Sequence, residues 1–223
     1  MEALETDRTR EDLDLVKRAV DALEPQVGPF VEALYAAYRE KRTIFVIGNG
    51  GSAANASHFA QDLNKGTLAD LRQGTRFRAI ALTDNISFIT ALANDEGYDQ
   101  VFVQQLATLA QPGDLLVAIS CSGNSLNVLH AAEYAKAHGL GTIGVTGFPG
   151  GRLRGSVELN LNAETDDVGL AEAVHSVLFH LAVSCLRERI ARKAAGRTDG
   201  SLARSGRDDQ PGRSRVHQEL GGV

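Results

Sequence analysis

Apolar residues follow a helical spacing up to about residue 42, and then the pattern changes to short apolar runs separated by helical stretches. Over residues 10–42, Leu13, Val16, Val20 and Leu23 recur every three or four positions, as do Val31, Leu34, Tyr35 and Tyr38. This spacing predicts two amphipathic helices, the first ended by Pro25. Residues 43–47 (Thr-Ile-Phe-Val-Ile) then read as a β-branched strand that runs into a glycine-rich turn and a helix over 53–64. Further strands are expected at 78–82, 115–119 and 142–146, with an alternating fifth at 157–161 nearer an edge. Helices are expected at 86–93, at 101–110, from the turn at 120–125 to His138, and over about 169–193. Uninterrupted apolar strands are buried on both faces, so the sheet is expected to be parallel, with right-handed helical crossovers.

Beyond Ala195 large apolar residues almost vanish, and residues 196–223 are expected to form a disordered tail. The chain thus divides into an N-terminal helical segment packed on the core (1–42), an α/β domain (43–195) and the tail. Composition adds exclusions. A hydrophobic content of 43% suits a globular core, and a net charge of −5 argues against a broad nucleic-acid surface. No apolar run approaches the roughly 20 residues of a membrane span. The acidic N-terminus lacks the features of a secretory signal, and Cys121 and Cys185 form neither a disulfide framework nor a cysteine-based zinc site. A cytoplasmic location is the expectation.

Two turns carry the chemistry. Gly48-Asn49-Gly50-Gly51-Ser52 follows the first strand, and Ser120-Cys121-Ser122-Gly123-Asn124-Ser125 follows the third. In a parallel sheet, ligands sit outside the carboxyl ends of strands, and each turn starts a helix whose N–H groups suit an anion. Ser120, Ser122 and Ser125 can reach one phosphate, while Ser52 is expected to cap the other helix. A single such turn could equally be a plain tight turn, with Ser125 a plain N-cap. Neither turn is a P-loop or a dinucleotide fingerprint, which favours a monophosphate.

The ordered motifs GNGGSAA, ALANDEGYD, ISCSGNS and VTGFPGG resemble the sugar isomerase (SIS) fold and, within it, the phosphoheptose isomerase family. The resemblance implies a three-layer αβα sandwich around a mostly parallel sheet, assembled as a homotetramer with interfacial active sites. It implies conversion of sedoheptulose 7-phosphate to D-glycero-D-manno-heptose 7-phosphate for nucleotide-heptose synthesis, usually with zinc. It carries substrate binding to Asn49, Gly50, Gly51, Ser52, Asn94, Asp95, Ser120, Cys121, Ser122, Ser125 and Glu172. It carries metal binding to His58, Asp62, Glu172 and His180. By spacing alone, Glu172 pairs with His175, three residues on, because eight residues of helix separate Glu172 from His180 by roughly 12 Å. The resemblance instead favours His180 and leaves His175 to helix packing or a supporting role.

The expected chemistry is ketose–aldose isomerisation through an enediol, with Asp62 as base, His180 as acid/base partner and a divalent metal at the carbonyl. This chain departs from the family at three places: Asp62 where glutamate is usual, Glu172 where glutamine is usual, and Cys121 where threonine is more frequent. Asp95 is read either as a contact to sugar hydroxyls or as a turn residue. His130 and His138 are read as surface or capping groups, and Cys185 as a core thiol. Two other readings stay open: an isomerase of another ketose phosphate, and a non-catalytic SIS sugar-phosphate-binding or protein-interaction module. The second would be expected to have lost the metal residues.

Overall fold

The computed structural model describes residues 2–68, 70, 72 and 74–202. Five parallel strands form its centre: β1 (Thr43–Ile47), β2 (Arg78–Ala81), β3 (Leu115–Ser120), β4 (Gly141–Gly147) and β5 (Leu159–Ala163). Their order is β2-β1-β3-β4-β5. Every residue of β1 and β3 is buried, as continuous apolar strands between two helical layers require. Alternate side chains feed the two layers. Ile44 and Val46 join the cluster under α1 (Glu2–Glu40), α2 (Gly51–Gln61) and α7 (Val168–Leu202). Phe45 and Ile47 join the cluster under α4 (Val103–Leu109), α5 (Leu126–Ala137) and the short α6 (Leu153–Ser156). The helix α3 (Ile86–Asp95) lies on that second side through Ile89 and Leu92. This is the three-layer αβα architecture.

Phe30 of α1, Phe59 of α2 and Phe179 of α7 pack as a trio, Phe59 stacked on Phe179 at 4.3 Å between ring centroids. That contact lies between the two helices carrying the candidate chemistry, and it holds them side by side.

Several elements differ from the expectation. α1 is one helix rather than two, with Pro25 and Pro29 inside it. Leu23, Phe30, Leu34 and Tyr35 are all buried along its inner face. Burial on that scale, about 1.5–3 kcal/mol per large side chain, outweighs the roughly 3 kcal/mol penalty of a helix-interior proline. β5 begins two residues later than its alternation suggested, because Val157 and Glu158 still belong to the approach to the strand. A π-helical turn (Asp62–Gly66) extends α2, and a 3₁₀ turn (Tyr98–Gln100) follows α3.

α7 continues to Leu202, so the first residues of the expected tail are helical, and residues 203–223 lie outside the described residues. By length and composition the segment Val168–Ala195 of α7 is apolar enough to cross a membrane. Its Val174, Leu178, Phe179, Ala182, Leu186 and Ile190 are buried against α1, α2 and the sheet, as in the core helix of a folded domain. Cys185 is exposed on this helix and is not a core thiol.

Candidate active site

The strand order reverses direction between β1 and β3, where the crossover leaving β1 goes to β2 on one side and the crossover leaving β3 goes to β4 on the other. Such a switch point opens a crevice at the carboxyl ends of the two strands. Both glycine/serine turns fall there, because β1 and β3 are hydrogen-bonded neighbours, with Ile47 opposite Ala118.

The turn after β3 is held from below by the loop after β4. The Cys121 carbonyl accepts the Gly147 N–H at 2.9 Å, and Gly123, with φ of +63°, lies directly against the Gly150 carbonyl. Ser120 and Ser125 bring their hydroxyls to 3.3 Å of each other at the start of α5. Ser125 occupies the N-cap position but makes no side-chain cap bond, so its hydroxyl faces Ser120 rather than its own helix. Ser122 is exposed at the rim, its Oγ accepting the Asn124 N–H. Two facing hydroxyls at a helix N-terminus, with the Ser122 hydroxyl at the rim, thus make a spot suited to a phosphate.

The turn after β1 is built differently. Ser52 does not cap α2: it is the helix's second residue, buried, with Oγ 3.7 Å from Cys121 Sγ and 3.5 Å from Glu172 Oε1. Gly50 stands at the N-cap position itself. Gly51 leaves room for Glu172, since a Cβ at position 51 would fall 2.0 Å from Glu172 Oε2. The Glu172 carboxylate therefore sits at the N-terminus of α2, a favourable position for a negative charge. Its backbone carbonyl accepts from the Asn55 side chain at 3.0 Å, which ties α7 to α2. Cys121, between the two turns, has its thiol pushed above the ordinary cysteine range by burial, with the Glu172 charge adding to the effect.

α2 and α7 run in the same direction, so a second meeting point follows two turns on. There His58 Nε2 lies 3.4 Å from Asp62 Oδ2, and His180 Nε2 lies 3.5 Å from the same oxygen. The imidazole rings meet edge to face with centroids 5.0 Å apart. Asp62 is the first residue of the π-helical turn, a widened turn of a kind frequent at functional sites. One donor atom from each of the three residues lies within 4.8 Å of the others. Both histidines are half-exposed, so the group opens to solvent on one side.

This group fits a divalent metal. His180 Nδ1–H donates to the Ser176 carbonyl at 2.8 Å, which leaves the Nε2 lone pair facing Asp62 and His58. Donors about 2.0–2.1 Å from a tetrahedral zinc are separated by about 3.3–3.4 Å, close to the two spacings from Asp62 Oδ2. Glu172, the fourth residue of the expected ligand set, stands apart from this group. Its carboxylate rests on Gly51 and Ser52, outside the group of three, because the regular helix α7 separates it from His180 by about 12 Å of rise.

The pairing of Glu172 with His175 from spacing also fails. His175 points the other way, fully buried, with Nε2 2.9 Å from the Thr146 carbonyl of β4. Burial lowers its pKa below the ordinary histidine value. A folded-state pKa below the unfolded one means that the stability it confers is present above about pH 6.5 and fades as pH falls below that. Urea unfolding at pH 7 and pH 5.5 is expected to give a smaller drop in midpoint for His175→Gln than for the parent chain. An equal drop in both would contradict this account.

Asn94 and Asp95 stand exposed at the end of α3 and pair with each other at 2.7 Å rather than with either turn. Asn49 is engaged with Asn127 at 2.9 Å and with the Tyr98 hydroxyl at 3.0 Å. Sequence reasoning missed Asn127 and Tyr98. The available signal was Asn127 itself, a polar residue set between Leu126 and Val128 in an apolar first turn. His130 reaches Asp99 at 3.3 Å, and His138 stacks on Tyr134.

Comparison with known proteins agrees with this geometry. The SIS domain family model matches residues 10–147, a span that includes most of α1 and both turns. A probable phosphoheptose isomerase of Thermoplasma acidophilum is 42% identical over 146 residues, 66% of this chain and 79% of its own length. The phosphoheptose isomerase of Geobacter sulfurreducens is 36% identical over 178 residues, 78% of this chain and 93% of its own length. The solved phosphoheptose isomerase of Neisseria gonorrhoeae superposes with a TM-score of 0.76 at 29% identity, covering 84% of this chain and 98% of that one. The chain belongs to the SIS domain family and, within it, to the phosphoheptose isomerases.

Proposed function

We propose that this member of the phosphoheptose isomerase family is a metal-dependent enzyme that converts sedoheptulose 7-phosphate to D-glycero-D-manno-heptose 7-phosphate, for nucleotide-heptose synthesis in the cytoplasm. The observation that carries the reading is Asp62 Oδ2 set between His58 Nε2 and His180 Nε2, on helices that begin beside the phosphate cradle. A non-catalytic binding module has no use for such a group.

Ser120, Ser122, Ser125 and the N-terminus of α5 hold the phosphate, and Glu172 accepts from a sugar hydroxyl. The Asp62 carboxylate takes a proton from C1, and the electron pair left behind forms the C1–C2 double bond of the enediol. His180 Nε2, lone pair free, takes the proton of the C1 hydroxyl and hands it to the oxygen on C2. Asp62 then returns its proton to C2. C1 leaves as an aldehyde and C2 as a carbinol, so the oxidation and reduction are internal to the sugar. A divalent ion such as zinc, held by His58 and Asp62 while His180 Nε2 serves the substrate, would polarise the carbonyl and stabilise charge on the enediol oxygens.

Val177 and Leu181 flank His180 as exposed apolar residues, which supports burial of this face in a homotetramer with interfacial sites. The test is an assay of five- to seven-carbon ketose phosphates before and after chelation. Sedoheptulose 7-phosphate is expected to give the highest kcat/KM, chelation to abolish turnover and zinc to restore it. Absence of product from every ketose phosphate with the metal-loaded chain would overturn the proposal.

A further inference from the structure

Two turns that act on one molecule must keep a fixed separation, and beside the Ser52–Cys121 contact a reciprocal amide bridge joins the first turn to the helix that follows the second. Asn49, in the turn after β1, and Asn127, in the first turn of α5, exchange reciprocal amide bonds, each Nδ2 donating to the other's Oδ1 at 2.9 Å. Asn127 is 3% exposed, and its Oδ1 also accepts the Val128 N–H at 3.0 Å. Asn49 Oδ1 takes a second donor, the Tyr98 hydroxyl at 3.0 Å, from the 3₁₀ turn after α3. Three segments, from the connections that follow β1, β2 and β3, thus converge on one carboxamide.

Neither outer residue is explained by packing. Tyr98 is 54% exposed, and phenylalanine would fill the same place without the hydroxyl. Asn127 lies among buried neighbours, where a fully apolar side chain would avoid desolvating an amide. The bridge accounts for both. It also lies where a shift matters: α2 carries His58 and Asp62, whereas α5 starts at the phosphate cradle. Sliding one helix against the other changes the distance from phosphate to acid/base group, and errors near an ångström at a reacting centre cost about 10²-fold.

We propose that Asn127 and Tyr98 are positioning residues that, through Asn49, lock α2 to α5 and so fix the length of sugar phosphate the site accepts. The inference rests on the sugar-phosphate reading of the crevice, and its test uses binding rather than turnover. Calorimetry with inorganic phosphate and with open-chain alditol phosphates of five, six and seven carbons measures the gain in affinity that each chain length adds.

The parent chain is expected to favour one length. Tyr98→Phe is expected to keep phosphate affinity within about twofold while lowering that length preference about fivefold, and Asn127→Ala to lower it about tenfold or more. Tyr98→Phe carries the test alone if Asn127→Ala fails to fold. A preference unchanged in the folded variants, or absent from the parent chain, would overturn the proposal. So would equal losses for inorganic phosphate and the alditol phosphates, since the bridge would then serve the fold alone. A parent chain that shows the preference yet isomerises nothing would leave the bridge standing and remove the isomerase reading.

Discussion

Replacing Asp62 by asparagine is expected to lower turnover of sedoheptulose 7-phosphate by about 10³-fold, in the range that loss of a positioned general base costs, with phosphate affinity within about twofold of the parent. The reasons are local. Asp62 Oδ2 is the one atom that both imidazoles approach, at 3.4 and 3.5 Å, and the π-helical turn beginning at Asp62 sets its place beside α7. Asparagine keeps the shape and removes the basicity. It also weakens the metal group, so the fall in kcat should be accompanied by looser zinc binding measured by titration. The proposed phosphate site is at the start of another helix, α5, so the two affinities are expected to separate. Steady-state kinetics together with phosphate inhibition constants checks the prediction. A variant retaining a tenth or more of parent turnover would show that the base is elsewhere.

The second large effect is expected at Gly123, which no catalytic argument would single out. Its φ of +63° is unfavourable for any side chain, and an added Cβ would lie 2.0 Å from the Gly150 carbonyl oxygen and 2.6 Å from its carbon. The opposing surface is equally tight, since a Cβ on Gly151 would fall 2.3 Å from the Ser122 carbonyl. Backbone faces backbone, so no flexible side-chain end can yield. Gly123→Ala must lift the turn away from the loop after β4, displacing Ser122 and disturbing the Ser120–Ser125 pair. Strain of this kind costs about 1–3 kcal/mol before the clash is added. Affinity for inorganic phosphate is expected to fall at least about tenfold, with a Tm lowered by several degrees. Unchanged phosphate affinity in a folded Gly123→Ala chain would place the phosphate elsewhere.

The sequence made the sheet legible because its strands are either fully buried or sharply bounded. Thr43–Ile47 is apolar at every position after its first residue and meets a glycine turn, so its limits coincide with the observed strand. α1 departs from the two-helix expectation because Pro25 does not stop a helix whose buried stripe through Leu23, Phe30 and Leu34 continues past it. The π-helical turn at Asp62 has no periodicity of its own that could announce it.

Within the site, local spacing worked where the partners share a helix, as His58 and Asp62 do. It failed for Glu172 and His175, because the partner of each lies on another element: Gly51 on α2 for one, Thr146 on β4 for the other. Resemblance to the family singled out His180, which spacing could not do. For Glu172 the resemblance named a metal ligand, whereas the carboxylate lies at the start of α2. The substitution of Cys121 for the more frequent threonine has a local account, a buried thiol against Ser52.

The central claim is proton transfer at C1 and C2 of a ketose phosphate by Asp62 and His180. Proton NMR of sedoheptulose 7-phosphate in D₂O with the zinc-loaded protein tests it most directly. The account predicts growth of aldose heptose 7-phosphate signals, deuterium appearing at C1 of the remaining ketose and at C2 of the product, and loss of both in Asp62→Asn and His180→Ala. A zinc-loaded chain that binds phosphate yet yields no aldose and no deuterium at C1 would contradict it.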